Sequence, residues 1–148
     1  MSAVVILDSG PAGLLAQRIG VAPAEACRQW QRGLLAAGVR VILPEITDYE
    51  VRRELLRINS LSGLMRLDRL AAAVEYLPLN TAAMRKAAEL WALVRQQGKP
   101  TADSKELGGD VILAAQAILL GVPDLVVATT NVGHLSRFVN ARNWQDVT

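Results

Sequence analysis

The chain has 148 residues, of which 51% are hydrophobic and 20% charged, so it is long enough for one folded domain and too apolar to be disordered. Its formal net charge of +2 suits a nucleic-acid partner without requiring one. A single cysteine, Cys27, excludes an intramolecular disulfide, and we find neither a signal-peptide pattern nor an apolar run long enough for a bilayer. We therefore expect a cytoplasmic protein that is not bound to a membrane.

The first half of the chain alternates predicted strands and helices. Residues 3–7 form a short apolar run rich in β-branched side chains, typical of a buried parallel strand, and Pro11 then opens a helix. Further elements are predicted from periodicity and from Gly and Pro positions. They are a helix over 23–37, a strand over 39–43, and helices over 44–58 and 61–74.

The second half continues this alternation. A short strand is predicted over 76–79 and a long helix over 81–97, followed by a polar loop over 101–109. Asp110 is predicted to begin a helix that is apolar nearly all round, and therefore buried. The remaining predicted elements are a strand over 125–128, a short helix after Asn131, and an edge strand around 144–147.

Alternating strands and helices predict an α/β fold with a parallel central sheet and helices on both faces, in one domain over residues 1–148. Functional sites of such sheets lie at the carboxyl ends of the strands. Asp8 and Asn131 follow two of the strands, Asp110 is expected at a helix N-terminus, and Glu50 lies on the helix after the second strand. These four polar residues can therefore converge at one edge of the sheet.

Each of these residues also has an ordinary structural explanation. Asp8, Asp110 and Asn131 are all good helix caps, and Glu50 is one of several acids on its helix, with Glu45, Asp48 and Glu54 nearby. Their combination is more informative, because carboxylates gathered at one edge stay ionised together only when a cation compensates their charge. Oxygen ligands favour Mg²⁺ or Mn²⁺, whereas one histidine and one cysteine make a zinc site improbable. The sequence has no phosphate-binding P-loop and no G-x-S-x-G motif.

Four short segments carry a resemblance to a known family. They are Ile6-Leu-Asp8, Ile46-Thr-Asp-Tyr-Glu50, Gly109-Asp-Val-Ile-Leu-Ala-Ala115 and Thr129-Thr-Asn131. In their order and spacing the chain resembles PIN-domain ribonucleases, including VapC-type toxins. The resemblance implies a three-layer α/β/α sandwich with four or five parallel strands and Mg²⁺- or Mn²⁺-dependent hydrolysis of RNA. It also implies that Asp8, Glu50 and Asp110 hold the metal, with Asn131 in the fourth catalytic position.

Other expectations depend on this resemblance. Asp103 is a candidate extra metal ligand or a simple cap, and His134 is a candidate phosphate contact or proton shuttle. Arg52, Arg53 and Arg57 could contact flanking phosphates or be ordinary surface arginines. The resemblance implies an RNA substrate and an antitoxin protein as partners. We also expect a homodimer, because the helix over 61–74 and the long helix that carries Trp91 offer more apolar surface than one sheet needs. The alternative is a non-catalytic PIN-like module that binds RNA or protein, which the neutral Asn131 motivates.

Overall fold

A computed structural model describes residues 3–98 and 104–148. Its strands are β1 Val4–Leu7, β2 Arg40–Pro44, β3 Glu75–Leu77, β4 Leu125–Thr129 and β5 Ala141–Asn143. Its helices are α1 Ser9–Leu15, α2 Ala22–Ala36, α3 Glu45–Arg57, α4 Leu61–Ala73, α5 Thr81–Gln96, α6 Ser104–Leu120 and α7 Val132–Leu135. No helix in these described ranges is long and apolar enough to cross a membrane.

The strands form one sheet in the order β3-β2-β1-β4-β5, and every neighbouring pair is parallel. β1 is the central strand, and all four of its residues are buried. A strand covered on both faces must be apolar at every position, which is why β1 is a continuous run of Val, Ile and Leu. The predicted α/β class with a parallel sheet of four or five strands is confirmed.

Helices cover both faces of the sheet. Val5, Leu7 and Val41 point to one face, where they pack with buried residues of α1, α2, α3 and α4. Val4 and Ile6 point to the other face and pack mainly with α6. The chain moves outward from β1 to β2 and β3 and then returns to β4, so the sheet reverses its winding between β1 and β4. Open α/β sheets bind ligands in the crevice at such a reversal.

The start of α6 differs from the prediction. The helix begins at Ser104 rather than at Asp110, so the predicted polar loop is helical from Ser104 onward. The pair Gly108-Gly109 favours a loop by intrinsic propensity. Leu107, however, is only 2% exposed and packs in a cluster with α5, so tertiary burial outweighs the cost of two glycines. Asp110 therefore lies well inside the helix.

The last strand also differs from the prediction. Strand β5 ends at Asn143, and Trp144–Asp146 form a 3₁₀ turn instead of the expected edge strand. The side chain of Asn143 accepts a hydrogen bond from the backbone of Gln145 at 3.1 Å, which stabilises the turn. Trp144 then packs edge-on against Trp30, with ring centroids 5.5 Å apart. Local capping and aromatic packing thus replace strand pairing.

Candidate functional site

A cavity of about 430 Å³ opens beyond the carboxyl ends of β1 and β4, where the sheet reverses its winding. Its wall includes Asp8, Glu50, Asp110 and Asn131. The structure therefore brings together the four polar residues that were expected at one edge of the sheet. A second cavity, of about 490 Å³, is lined by arginine and aliphatic side chains between α1, α2 and α4. The first is the better candidate site because it gathers carboxylates whose pKa values are perturbed.

Asp8 joins the end of β1 to the start of α1. Its Oδ1 accepts a hydrogen bond from the backbone N–H of Ser9 at 2.7 Å, and its Oδ2 accepts one from the Thr129 hydroxyl at 2.7 Å. The side chain is thus both the N-cap of α1 and part of the cavity wall. Burial raises the pKa of Asp8, and the hydrogen bonds from Thr129 and Ser9 oppose that rise. Two donors on different elements fix the orientation of this carboxylate.

Thr129 connects β4 to the site, although it was predicted only as part of a motif and not as a support for Asp8. Besides donating to Asp8, its hydroxyl oxygen accepts a hydrogen bond from the backbone N–H of Asn131 at 2.8 Å. Asn131 occupies the N-cap position of α7, but its side chain makes no capping bond. The Asn131 amide instead lies 2.8 Å from Nδ1 of His134. The side chain of Asn131 is therefore held at the rim of the cavity.

Glu50 reaches the cavity from α3, and its side chain is 21% exposed. Burial and, after it, the negative charge of Asp8 raise the pKa of Glu50 to about 7. Arg53, one turn along the helix, opposes this rise, and its Nη2 lies 3.9 Å from Glu50 Oε2. Arg53 also lines the cavity and lies over the ring of Tyr49.

The acids that compete with Glu50 on the same helix have other partners. Glu45 accepts a hydrogen bond from the backbone of Leu79, and Asp48 accepts one from the Tyr76 hydroxyl at 2.6 Å. Asp48 also pairs with Arg52, and Glu54 pairs with Arg57. Glu54 borders the cavity, but its carboxylate is engaged in the ion pair with Arg57, whose hydrogen bond lowers the pKa of Glu54. Arg52 and Arg57 are thus engaged in ion pairs with Asp48 and Glu54, whereas the charge of Glu50 interacts with Asp8 and Asp110 in the cavity.

Asp110 faces the cavity from the interior of α6, not from a helix N-terminus as predicted. Its side chain is 18% exposed, and within residues 3–98 and 104–148 its Oδ2 is a buried atom without a hydrogen-bond partner. Burial, followed by the charge of Asp8, raises the pKa of Asp110 to about 6, and His134 opposes the rise. The ring nitrogen Nδ1 of His134 is 3.7 Å from that Oδ2, which is too long for a hydrogen bond.

Glu106 adds a further acid that the sequence prediction missed. It precedes Asp110 by one helical turn, lines the cavity and lies 3.3 Å from His134. The i, i+4 spacing would have identified it if the helix had been predicted to begin at Ser104. Asp103, the predicted extra ligand, lies outside the described residues.

The donor set of this cavity fits a hard divalent cation. Carboxylate and amide oxygens are ligands that Mg²⁺ and Mn²⁺ prefer, and the buried Oδ2 of Asp110 has no hydrogen-bond donor among the described residues. In the described parts of the chain, no three His, Cys, Asp or Glu side chains lie close enough together to hold an ion as they stand. Ionised carboxylates that share a cavity repel one another, which favours such separation.

Several solved bacterial protein structures share this architecture. VapBC2 from Rickettsia felis, bound to a DNA fragment from its promoter, matches with a TM-score of 0.73 and 15% identity, over 95% of this chain and 98% of that chain. The chain has a VapC-like PIN-domain fold. FitAcB from Neisseria gonorrhoeae matches this PIN fold with a TM-score of 0.67 and 20% identity, over 97% and 99% of the two chains.

VapC20 from Mycobacterium tuberculosis, a Sarcin-Ricin loop cleaving toxin, matches with a TM-score of 0.63 and 16% identity, over 91% of this chain and 96% of that chain. No family model matches the sequence, and no curated protein does. The resemblance that the short motifs carry is thus confirmed as a PIN fold.

Proposed function

We propose that this chain is a ribonuclease that hydrolyses RNA phosphodiester bonds with Mg²⁺ or Mn²⁺, and that it is the toxin of a toxin–antitoxin pair. The observation that carries the proposal is the gathering of Asp8, Glu50 and Asp110, from distant parts of the chain, around one cavity. The solved toxins with the same fold support it, since one of them cleaves RNA of the sarcin-ricin loop.

In this proposal the protein side chains hold the cation and position the substrate. Asp8 and Asp110 line the same cavity and Glu50 supplies the third carboxylate. The negative charge of Asp8 acts on both of the other two carboxyl groups. A divalent cation bound there would lower the pKa of a bound water and stabilise charge developing on the phosphate. Thr129 and the backbone of Ser9 fix the Asp8 carboxylate, so it requires little reordering on binding. Arg53 lies beside Glu50 and can receive a phosphate of the RNA.

The deciding experiment replaces Asp8 or Asp110 with Asn, which keeps the shape of the side chain and removes its charge. We expect Mn²⁺-dependent cleavage of RNA to fall by at least roughly a hundredfold, because metal-assisted catalysis contributes several kcal/mol and each 1.36 kcal/mol is tenfold in rate. Asp146→Asn is the matched control, because Asp146 is exposed in the C-terminal 3₁₀ turn. Cleavage that is independent of divalent cations, or equal in all three variants, would contradict the proposal.

A non-catalytic PIN-like module that binds RNA or protein is the second candidate. The neutral Asn131 at the fourth position and the present separation of the carboxylates favour it. A calorimetric Mn²⁺ titration separates the two candidates. The nuclease requires saturable binding that Asp8→Asn weakens, whereas the binding module requires none.

The proposed partners are an antitoxin and a second copy of the chain. The solved structures with this fold include toxin–antitoxin complexes, which supports an antitoxin. Apolar side chains on α4 and α5 are exposed, among them Leu61 at 76%, Met65 at 56% and Trp91 at 43%, which supports a homodimer. Light scattering at tens of micromolar should give about twice the chain mass, and a monomer there would remove the homodimer. Co-purification with the product of the neighbouring gene tests the antitoxin.

A further inference from the structure

Helix α6 carries two adjacent glycines, Gly108 and Gly109, immediately before Asp110. Glycine inside a helix is unfavourable by roughly 0.5–1 kcal/mol relative to alanine, so a glycine at either position is retained at a cost in stability. Their surroundings differ sharply. A Cβ atom added at Gly108 would meet nothing within 4 Å. A Cβ atom added at Gly109 would lie 3.2 Å from Cδ and 3.5 Å from Oε1 of Glu50, and it would overlap Oε2 of the same carboxylate.

The Glu50 carboxylate therefore lies directly on the bare backbone of α6, in the volume that a side chain at position 109 would occupy. All three of the nearest atoms belong to this one carboxylate. Gly109 directly precedes Asp110, so the space left by the missing side chain also brings the Glu50 carboxylate near Asp110. The charge of Asp110 contributes to the raised pKa of Glu50. The close approach of the Glu50 carboxylate to the backbone of α6 at this point depends on the missing Cβ.

We propose that Gly109 is a positioning residue for the metal site, because its missing side chain leaves the space in which the Glu50 carboxylate reaches the cation. This inference rests on the proposed function in so far as it takes Glu50 as a metal ligand. Gly109 itself contacts neither metal nor RNA in this proposal. It acts only through the position of Glu50.

Alanine at position 109 should displace Glu50 without disrupting the fold. The overlapping atoms are the far end of a flexible side chain, which can rotate away toward solvent, whereas the backbones of α3 and α6 need not move. Alanine also favours the helix over glycine. Gly109→Ala should therefore raise stability and weaken cation binding, and these opposite signs distinguish a positioning role from a loss of structure.

The experiment compares four variants with the wild type: Gly109→Ala, Gly108→Ala, Glu50→Gln and the double variant Gly109→Ala/Glu50→Gln. Mn²⁺ affinity is measured by calorimetry without RNA, and thermal unfolding is followed without metal. We expect both single alanine variants to raise the unfolding midpoint by roughly 2 to 4 °C. Gly108→Ala should keep the Mn²⁺ affinity within about twofold, while Gly109→Ala should weaken it about tenfold or more, close to the effect of Glu50→Gln. The double variant should be no weaker than Glu50→Gln, because both changes remove the same ligand.

Each result decides a separate point. If the wild type and Gly108→Ala bind Mn²⁺ but Gly109→Ala binds it equally well, the inference fails and the proposed function stands. If the losses in the double variant add, Gly109 acts on the fold rather than through Glu50, and the inference fails as well. If the wild type shows no saturable Mn²⁺ binding, the proposed function fails and the inference fails with it.

Discussion

The sign of the effect of Asp110→Asn on stability should depend on whether a divalent cation is present. In the metal-free protein, burial and the charge of Asp8 raise the pKa of Asp110 from 3.8 to about 6. A carboxyl group with a raised pKa in the folded state destabilises that state above the raised pKa, and the penalty disappears as the pH falls below 3.8. Removing the charge should therefore stabilise the metal-free protein at pH 8 and leave its stability unchanged near pH 3.5.

The expected magnitude follows from the pKa difference. About two pKa units correspond to about 3 kcal/mol. Because the side chain is 18% exposed, solvent screening reduces this figure, and we expect a gain of ~1–2 kcal/mol at pH 8. With Mn²⁺ at about a hundred times its dissociation constant, the wild type should gain about 2.7 kcal/mol and the variant much less, so the order of stabilities should reverse.

Urea unfolding at pH 8 and pH 3.5, with and without Mn²⁺, measures these differences directly. The quantity to compare is the variant minus the wild type under each condition, since other titrating groups then cancel. A metal-free variant that is less stable than the wild type at pH 8 would show that Asp110 has a stabilising partner, and the argument from its unpartnered Oδ2 would be refuted. A gain that is equal at both pH values would refute the electrostatic cause.

Two further predictions concern the supports of the site. Thr129→Val keeps the shape of the side chain but removes the hydroxyl that bonds to both Asp8 and the Asn131 backbone. It should lower the free energy of unfolding, measured in urea, by ~1–3 kcal/mol. A loss below about 0.5 kcal/mol would mean that these two hydrogen bonds contribute little. Arg53→Ala should raise KM for RNA several-fold with kcat nearly unchanged, whereas Arg57→Ala, whose guanidinium pairs with Glu54, should leave both constants near the wild type. Equal effects of the two arginine substitutions would argue against a phosphate contact at Arg53.

Much of the fold could be predicted because parallel strands have a simple signature. Each of the strands β1, β2 and β4 is a short apolar run next to a turn residue, and their order in the chain dictates helices on both faces. The errors lie where local preference and tertiary packing disagree. A polar segment predicted as a loop is helical from Ser104 onward, where Leu107 is buried, and the edge strand predicted around Trp144 is a 3₁₀ turn.

The site could be predicted only in part, for a similar reason. Residues that follow strands, such as Asp8 and Asn131, are placed by the topology alone. Choosing Glu50 among the acids of α3 requires knowledge of the partners of the other acids. Arg52 and Arg57 are close in the chain to Asp48 and Glu54, but the Tyr76 hydroxyl bonds to Asp48 from 28 residues away. The part played by Thr129 depends on the pairing of β1 with β4, which no local pattern reveals.

The bond between Asp8 and Thr129 joins positions that are 121 residues apart, and it has a consequence for how the protein is made. Synthesis proceeds from the N-terminus, so β1 and Asp8 emerge from the ribosome well before β4 and Asn131. A growing polypeptide thus carries its acids on separate, unassembled segments until β4 inserts beside β1. For a nuclease of the proposed kind, the ribosome that makes it would meet no assembled catalytic pocket until β4 has been synthesised and has paired with β1.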